Sequence, residues 1–369
     1  MTPSVLYVIT DSGVGGTEKA LHNLLLHMDR QLVNPCGVVV LKNKREMAVE
    51  WEKTGVPVIS LGLGKWPSPL LFGKFCREVR SRRPTIVHAF LYHSIKLSRL
   101  VRLFNSSFKL VTSPRVNYRF APKLALSLDR CLKSMDDQTL CESEAGRQSL
   151  VKNLNYASEK TSVAWNSVDP NKYCFKAESR ARIRSEWHIA DSDVLVGAVG
   201  RLHGQKGFDV LIKALEHVQK GPVSFKAVIV GQGPEESALK RLALERGVPV
   251  IFAGERNDVP DILSALDIYV QSSRYEGLSN ALLEAMSCGR PCVATAVDGT
   301  LDFSKDGENM LLVKPEDDVS LGVAVGLLLE KPALRAKLAG NATITAKEFS
   351  LERMMQGFEK AYRSVLSKP

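Results

Sequence analysis

The pattern that most limits how this chain can fold is an alternation that runs, stops and runs again. Short apolar runs of strand length, VLYVIT (5–10), CGVVVL (36–41), PVISL (57–61), TIVHAF (85–90), KLVTS (109–113), QTLCES (138–143) and TSVAW (161–165), are separated by segments whose apolar residues recur at helical spacing. Strand, helix and strand in repetition imply crossover connections, hence a parallel sheet covered by helices. A polar, charged stretch at about 170–192 interrupts the series, which then restarts with VLVGAVG (194–200), FKAVIVG (225–231), VPVIFAG (248–254), LDIYVQS (266–272), PCVATA (291–296) and MLLVK (310–314). The simplest account is an α/β chain of two tandem Rossmann-like, doubly wound domains, and 369 residues are enough to bury two such cores. The closing stretch from Asp318 reads as three helices, broken at Pro332 and near Ser350. Ligands of doubly wound sheets lie beyond the carboxyl ends of the strands, so the expected active site is a cleft between the domains.

Charge narrows the partners. Residues 1–170 hold 24 Lys and Arg against 14 Asp and Glu, whereas the remainder balances at 26 against 26, so the whole excess of +10 lies in the first half. Such an asymmetry implies an anionic partner. Basic residues alternate with apolar ones in GKFCREVRSRRP (73–84), KLSRLVRLFNSSFK (96–109) and SPRVNYRFAPK (113–123). These segments read either as a surface for anionic lipid headgroups or as ordinary solvated helix faces. Nucleic acid fits less well, because neither a recognised module nor an aromatic stacking platform accompanies the charge. No apolar run is long enough to span a bilayer, and the N-terminus lacks a basic segment before its first apolar stretch, so a cytoplasmic protein is expected. Seven cysteines without a CxxC pair or a companion His spacing indicate neither a disulfide framework nor a zinc site.

The residues that follow the strands carry the chemistry. DSGVGGTEKALHNLLLHM (11–28) places Gly13, Gly15 and Gly16 between a strand and a helix, where backbone N–H groups can approach an anion, although the spacing is not GxGxxG and no acidic residue stands in the expected ribose position. GRLHGQKGFDVLIKAL (200–215) repeats the device, with Arg201 and Lys206 flanking the loop; two cations at a strand end can neutralise a diphosphate. In SSRYEGLSNALLEAM (272–286), Glu276 follows a strand, Ser279 is placed to cap a helix, and Glu284 falls in that helix's second turn. Backbone amides of Gly277, Leu278, Ser279 and Asn280 would face a phosphate, while carboxylates accept hydrogen bonds from hydroxyls. Two glutamates on either side of an anion-binding helix start suit a diphosphate with a hydroxylated ring on each flank, which describes a nucleotide sugar.

These motifs together resemble glycosyltransferase family 4, retaining enzymes of the GT-B architecture with a Glu-x7-Glu signature. The likeness runs through GVGGTEKAL, IVHAFLYHS (86–94), VAWNSVDPNKY (163–173), GRLHGQKGFDVLIKAL, VGQGPEESALKRLA (230–243) and FAGERNDVPDILSALDIYVQSSRYEGLSNALLEAMSCGRPCVAT (252–295). The resemblance implies an acceptor-binding domain over 1–170, a nucleotide-sugar-binding domain over 171–350, and a helix at 351–369 that packs back on the first domain. It implies that Arg201 and Lys206 hold the diphosphate leaving group, Glu284 the ribose, and Glu276 with the following amides the sugar and phosphates. It places Arg256 at the nucleobase loop and Gly15 and Gly16 near donor phosphate and acceptor. Catalysis would then be positioning and electrostatic stabilisation without a metal or other cofactor; DSD at 191–193 precedes a strand and reads as a solvated loop. His88 stands where the family often has His-x-His and is a catalytic candidate, with His93 nearby. Arg115 and Asn117 replace a sugar-contacting His and are acceptor-side candidates. VDGTLDFSKDGEN replaces the more usual Gly-Gly-x-x-Glu. The acceptor expected is a glycan or lipid-linked molecule, with the donor linked to UDP or GDP; a sugar-nucleotide epimerase or an inactive scaffold homologue are the rival readings.

Overall fold

A computed structural model describes residues 2–64, 68–115, 129–219 and 221–367. The chain divides into two units, Met1–Ser167 together with Leu351–Pro369, and Val168–Ser350. The first unit holds a 7-stranded parallel sheet of β1 (Ser4–Ile9), β2 (Asn34–Val40), β3 (Val58–Ser60), β4 (Ile86–Phe90), β5 (Lys109–Ser113), β6 (Gln138–Cys141) and β7 (Thr161–Val163), ordered β3-β2-β1-β4-β5-β6-β7. The second holds a 6-stranded parallel sheet of β8 (Val194–Val199), β9 (Phe225–Val230), β10 (Val250–Gly254), β11 (Ile268–Gln271), β12 (Cys292–Thr295) and β13 (Leu311–Val313), ordered β10-β9-β8-β11-β12-β13. Each apolar run of the sequence has become a strand. QTLCES stops at Cys141 because the Ser143 side chain accepts a hydrogen bond from the Gly146 N–H and caps the helix Glu144–Leu154.

Both faces of each sheet are covered, which is why the strands read as continuous apolar runs rather than alternating ones. Val5 through Ile9 are wholly buried. One face of the first sheet packs on Leu21, Leu24 and Leu25 of the helix Gly16–His27 and on the last helix, Leu351–Leu366; the other packs on Leu71, Phe75 and Val79 of the helix Pro69–Arg82 and on Ile95 and Val101 of the helix Tyr92–Phe104. The last helix joins the first unit because Met354, Phe358, Ala361, Tyr362 and Val365 recur at helical spacing and are all buried there. Each large side chain among them contributes about 1.5–3 kcal/mol by leaving water.

In both sheets the winding direction reverses next to the first strand, between β1 and β4 and between β8 and β11. Loops leaving neighbouring strands diverge at such a switch point and open a crevice beyond their carboxyl ends. In the second unit those loops carry Arg201 and Lys206 on one side and Glu276 on the other.

Candidate active site

After β8 the chain makes a tight turn at Gly204–Lys206 and enters the helix Phe208–Val218 through Gly207. Only glycine fits at 207: its φ of 61° is left-handed, and a Cβ there would lie 2.1 Å from the carbonyl oxygen of Ser272. The loop after β11 therefore passes directly against the turn. Lys206 Nζ lies 2.6 Å from Glu276 Oε1, and Ser273 Oγ donates to the same oxygen at 2.7 Å. Glu276 is 5% exposed, while the Lys206 side chain keeps 23% of its surface open to solvent. Arg201 is exposed, and its side chain makes no hydrogen bond or ion pair with any described residue, while its carbonyl accepts from the His203 N–H at 2.8 Å. The two loops thus present one committed cation and one uncommitted cation.

Beyond Glu276 the chain turns into the helix Asn280–Ser287. Ser279 caps it, accepting from the Leu282 N–H at 3.4 Å, and Leu282, Leu283, Ala285 and Met286 anchor it in the core. The turn is supported from below by Gly299, where a Cβ would come within 1.8 Å of the Gly277 carbonyl oxygen. The VDGT stretch that departs from the usual family pattern thus supplies close backbone packing under the helix start. Glu284 is 8% exposed, with the Tyr173 phenol as its neighbour. Burial first, and then the neighbouring carboxylate, push the Tyr173 phenol well above its ordinary range, so it remains a donor. The Ser287 hydroxyl in turn donates to the Tyr173 carbonyl at 2.7 Å and holds that residue in place.

Arg256 is already engaged. Its guanidinium donates to both oxygens of Asp258 at 2.8 Å and to those of Glu186 at 2.6 and 3.2 Å, and these bonds raise its pKa further. As it stands, the side chain braces the loop after β10 to the helix Ala177–Glu186.

In the first unit the expected residues are placed differently. His88 is wholly buried: Nδ1 shares a hydrogen bond with the Tyr362 hydroxyl at 2.7 Å, Nε2 one with Ser113 Oγ at 2.9 Å, and the ring stacks on Phe90. Burial, and then the charge of Arg115, hold its pKa well below the ordinary histidine value. This corrects the catalytic expectation for His88, which is a neutral core residue with both nitrogens satisfied. Arg115 is likewise drawn inward, with φ 52°, a bond to Asn166, Glu142 at 3.6 Å and the Phe358 ring 5.7 Å below. Burial lowers its pKa, against the pull of Glu142 and Glu18. His93 is half-buried at the start of its helix, edge-on to Tyr92. Burial, then Lys42 and Lys96, lower its pKa. Asn117 lies outside the described residues.

The glycine turn after β1 has its own buried acid. A Cβ on Gly15 would lie 2.4 Å from Glu18 Oε2, so the bare turn makes room for that carboxylate. Glu18 is 9% exposed, and burial, with Asp11 adding to it, pushes its pKa up to about 7. Gly13 lies beneath Arg45, where a Cβ would come within 2.9 Å of Nη1.

With this geometry in hand, residues 179–345 match the protein family described as "Glycosyl transferases group 1". Among curated proteins the chain is 34% identical over 173 residues to "Lipopolysaccharide core biosynthesis glycosyltransferase LpsE" of Rhizobium meliloti (strain 1021), covering 46% of this chain and 49% of that one. It is 30% identical over 208 residues to "Alpha-D-kanosaminyltransferase" of Streptomyces kanamyceticus, covering 55% and 54%. The chain thus spans about half the length of these relatives. The solved structure of Anabaena Alr3699/HepE in complex with UDP and glucose superposes with a TM-score of 0.86 at 21% identity, covering 98% of this chain and 100% of that one. The architecture is that of GT-B glycosyltransferases, two Rossmann-like parallel-sheet domains.

The matched stretch contains Arg201, Lys206, Arg256, both glutamates and the turn between them, and in it Lys206 lies against Glu276. Sequence reading overlooked Tyr173, which follows the Asn-Ser-Val-Asp motif and whose hydroxyl gives no spacing signal toward Glu284. It also overlooked Glu18, masked by the glycines before it, and Arg274, which sits two residues ahead of Glu276 and reads as an ordinary loop charge. Among the described residues no three His, Cys, Asp or Glu side chains are grouped as metal ligands, and no helix is long and apolar enough to cross a membrane.

Proposed function

We propose that the protein is a retaining glycosyltransferase that moves a sugar from a nucleoside-diphosphate sugar to a glycan or lipid-linked acceptor in surface polysaccharide or glycoconjugate assembly. The observation that carries this reading is the contact between Lys206 and Glu276 at the mouth of the helix that contains Glu284. In the free protein the ammonium and the carboxylate neutralise each other. When a donor enters, the diphosphate takes over Lys206 and recruits Arg201, and Glu276 is released to accept a hydroxyl of the sugar. Glu284 accepts the ribose hydroxyls, and the helix start with its preceding amides receives phosphate oxygens. As the bond to the anomeric carbon breaks, charge grows on the departing diphosphate, where the two cations and the helix dipole stabilise it most. The reaction proceeds without a metal, because these groups carry the charge a metal would otherwise balance. Solved structures of the similar HepE protein contain UDP and UDP-glucose, so UDP-sugars head the donor panel.

The first unit binds the acceptor on this reading, and the protein works in the cytoplasm on an anionic membrane surface. Of the three basic segments, only the first supports that. In 96–109, Lys96 and Arg99 are buried and Arg102 is paired with Asp137 at 2.8 Å; most of 113–123 lies outside the described residues. On the helix Pro69–Arg82, by contrast, Arg77 and Arg80 are exposed and, like Arg83 just beyond it, have no acidic partner among the described residues. Leu70 is 69% exposed, and Phe104, edge-on to Phe72, is 78% exposed.

The test is a thermal-shift screen with UDP-glucose, UDP-galactose, UDP-N-acetylglucosamine and GDP-mannose, followed by product analysis with the matched donor. A donor that stabilises wild type but not Glu284→Ala, and whose sugar is transferred with its anomeric configuration kept, supports the proposal. An inverted product, or donor stabilisation unaffected by Glu284→Ala, refutes it.

A further inference from the structure

The turn that bears Lys206 and the loop that bears Glu276 are joined by more than their own ion pair. All five N–H donors of the Arg274 guanidinium are in use: Nη1 and Nη2 grip the two oxygens of Asp209 at 2.9 and 2.8 Å, Nη1 also donates to the Gly204 carbonyl at 2.6 Å, and Nε and Nη2 reach the two oxygens of Glu316, the latter at 3.1 Å. Asp209 belongs to the first turn of the helix after β8, and Glu316 follows β13. The main chain continues the clasp. The Arg274 N–H donates to the Gln205 carbonyl at 2.8 Å, and Ser272 Oγ donates to the Lys206 carbonyl at 2.9 Å. Each of the three carbonyls in the Gly204–Lys206 turn is therefore held by the loop after β11, while Gln205 Nε2 returns a bond to the Tyr275 carbonyl at 3.0 Å.

We infer that Arg274 is a positioning residue of this site: by clasping Asp209 and the 204–206 turn, it fixes the distance between Lys206 and Glu276 so that the two act on a donor as one unit. The inference rests on the reading of Lys206 and Glu276 as donor-binding groups. A planar, five-donor fork is needed to serve two carboxylates and a carbonyl at once, and an ammonium cannot reproduce it. The Asp209 bonds, with those to Glu316, raise the Arg274 pKa, and although burial works to raise Asp209, the Arg274 bonds hold it below its ordinary value. The clasp is thus charged across the working pH range. Lys206 itself lies on a turn of three residues with a glycine on either side, Gly204 at its start and Gly207 just after it, so the backbone there has little stiffness of its own.

The experiment that separates positioning from simple bracing needs no donor. Lysines of the unliganded full-length protein are acylated competitively with an N-hydroxysuccinimide acetate and read residue by residue by mass spectrometry in wild type, Arg274→Lys, Arg274→Gln and Asp209→Asn. Lys206 is expected to react roughly threefold faster in the two Arg274 variants, the factor corresponding to loss of a partly exposed ion pair, with a smaller rise in Asp209→Asn. Lys213, on the helix behind the turn and close enough to Asp209 to feel its charge, is the control in the two Arg274 variants, where it is expected not to speed up. An unchanged Lys206 rate, or an equal rise at Lys213, overturns the inference, the second by showing general loosening. Because this readout is independent of any sugar, a failed donor assignment does not decide it. With UDP-glucose turnover as the second readout, Arg274→Lys lowers kcat about tenfold with little change in KM, and costs nothing further in a Lys206→Ala background. Losses that multiply in the double variant would show Arg274 acting independently of Lys206, against the inference.

Discussion

At the carboxyl edge of the second sheet, Lys206 and Arg201 stand in loops braced by other loops and remain open to solvent. At the same edge of the first sheet, Arg115 has been drawn into the core, where it joins His88 from the middle of β4. The sheets are alike in topology, and each begins with a strand followed by a glycine turn, so the difference does not lie in local sequence. It lies in what covers the edge later in the chain. The helix Leu351–Leu366 lays Phe358 under Arg115, just beyond β5, and Tyr362 against His88, in the middle of β4, and so encloses both polar side chains. In the second unit Lys206 is instead restrained by bonds along the loops, while the Arg201 side chain stays exposed. A polar side chain at a strand end is available for chemistry only where no later element closes over it.

The same division runs through the ion pairs, and it predicts different outcomes for charge removal in the two units. The largest effect is expected for Arg99, wholly buried in the first unit and bonded to Asp136 at 2.8 and 2.6 Å, to Asp129 at 2.5 Å and to Tyr156 at 2.9 Å. Arg99→Met leaves two buried carboxylates uncompensated and should cost about 3–5 kcal/mol, read as a large fall in the melting temperature. If the variant melts like wild type, the claim that this half of the molecule uses its cations for folding is broken. Lys206→Ala should do the reverse: the melting temperature moves little, while kcat/KM with the matched donor falls roughly 10²- to 10³-fold, the usual loss when one stabilising group is removed from a developing anion. Destabilisation with intact turnover would place Lys206 with Arg99 rather than opposite it.

Third comes a pH effect confined to the first unit. Glu18 has a folded pKa of about 7 against an ordinary 4.5, so the folded state binds its proton more tightly than the unfolded chain. Its contribution is fully present below 4.5 and is lost as pH rises through 7. Glu18→Gln should therefore be more stable than wild type at pH 8.5, by up to about 3 kcal/mol, and the gap should close as pH falls toward 5. Calorimetry of both proteins across that range checks it, and a constant gap would contradict the burial of this carboxylate. His88 has the opposite sign. Its folded pKa is depressed, so its contribution is present above the ordinary histidine value and falls away on acidification. The smallest expected effect concerns the exposed cations of the first unit. Arg77→Glu with Arg80→Glu should weaken sedimentation with phosphatidylserine vesicles at low salt by about 1 kcal/mol per lost charge or more, with wild-type binding released at high salt. Equal binding to neutral vesicles would sever the positive charge of this half from a membrane role.

How far the sequence could be read follows from the same physics. The strands were legible because those inside each sheet, buried on both faces, leave short continuous apolar runs, and these alternate with segments of helical period. The meeting of Lys206 and Glu276 was legible because their loops leave β8 and β11, which are neighbours in the sheet. His88 and Arg115 looked equally well placed, and their burial depends on Phe358 and Tyr362, more than 240 residues away by number. Arg99 and Lys96 likewise read as parts of a basic amphipathic surface, and only the fold discloses that Asp129 and Asp136 meet Arg99 from another segment.

The sequence by itself determined where each strand and helix lies, that there are two parallel sheets, and which loops leave their carboxyl ends, because hydrophobic period and glycine placement act over a few residues. The tertiary structure decided which charged side chains stay in water and which are enclosed, how Arg274 ties three loops into one clasp, and why Gly15 yields its space to Glu18. Those outcomes depend on the desolvation of each charge by elements distant in the chain, and that cost is fixed only once the packing is complete.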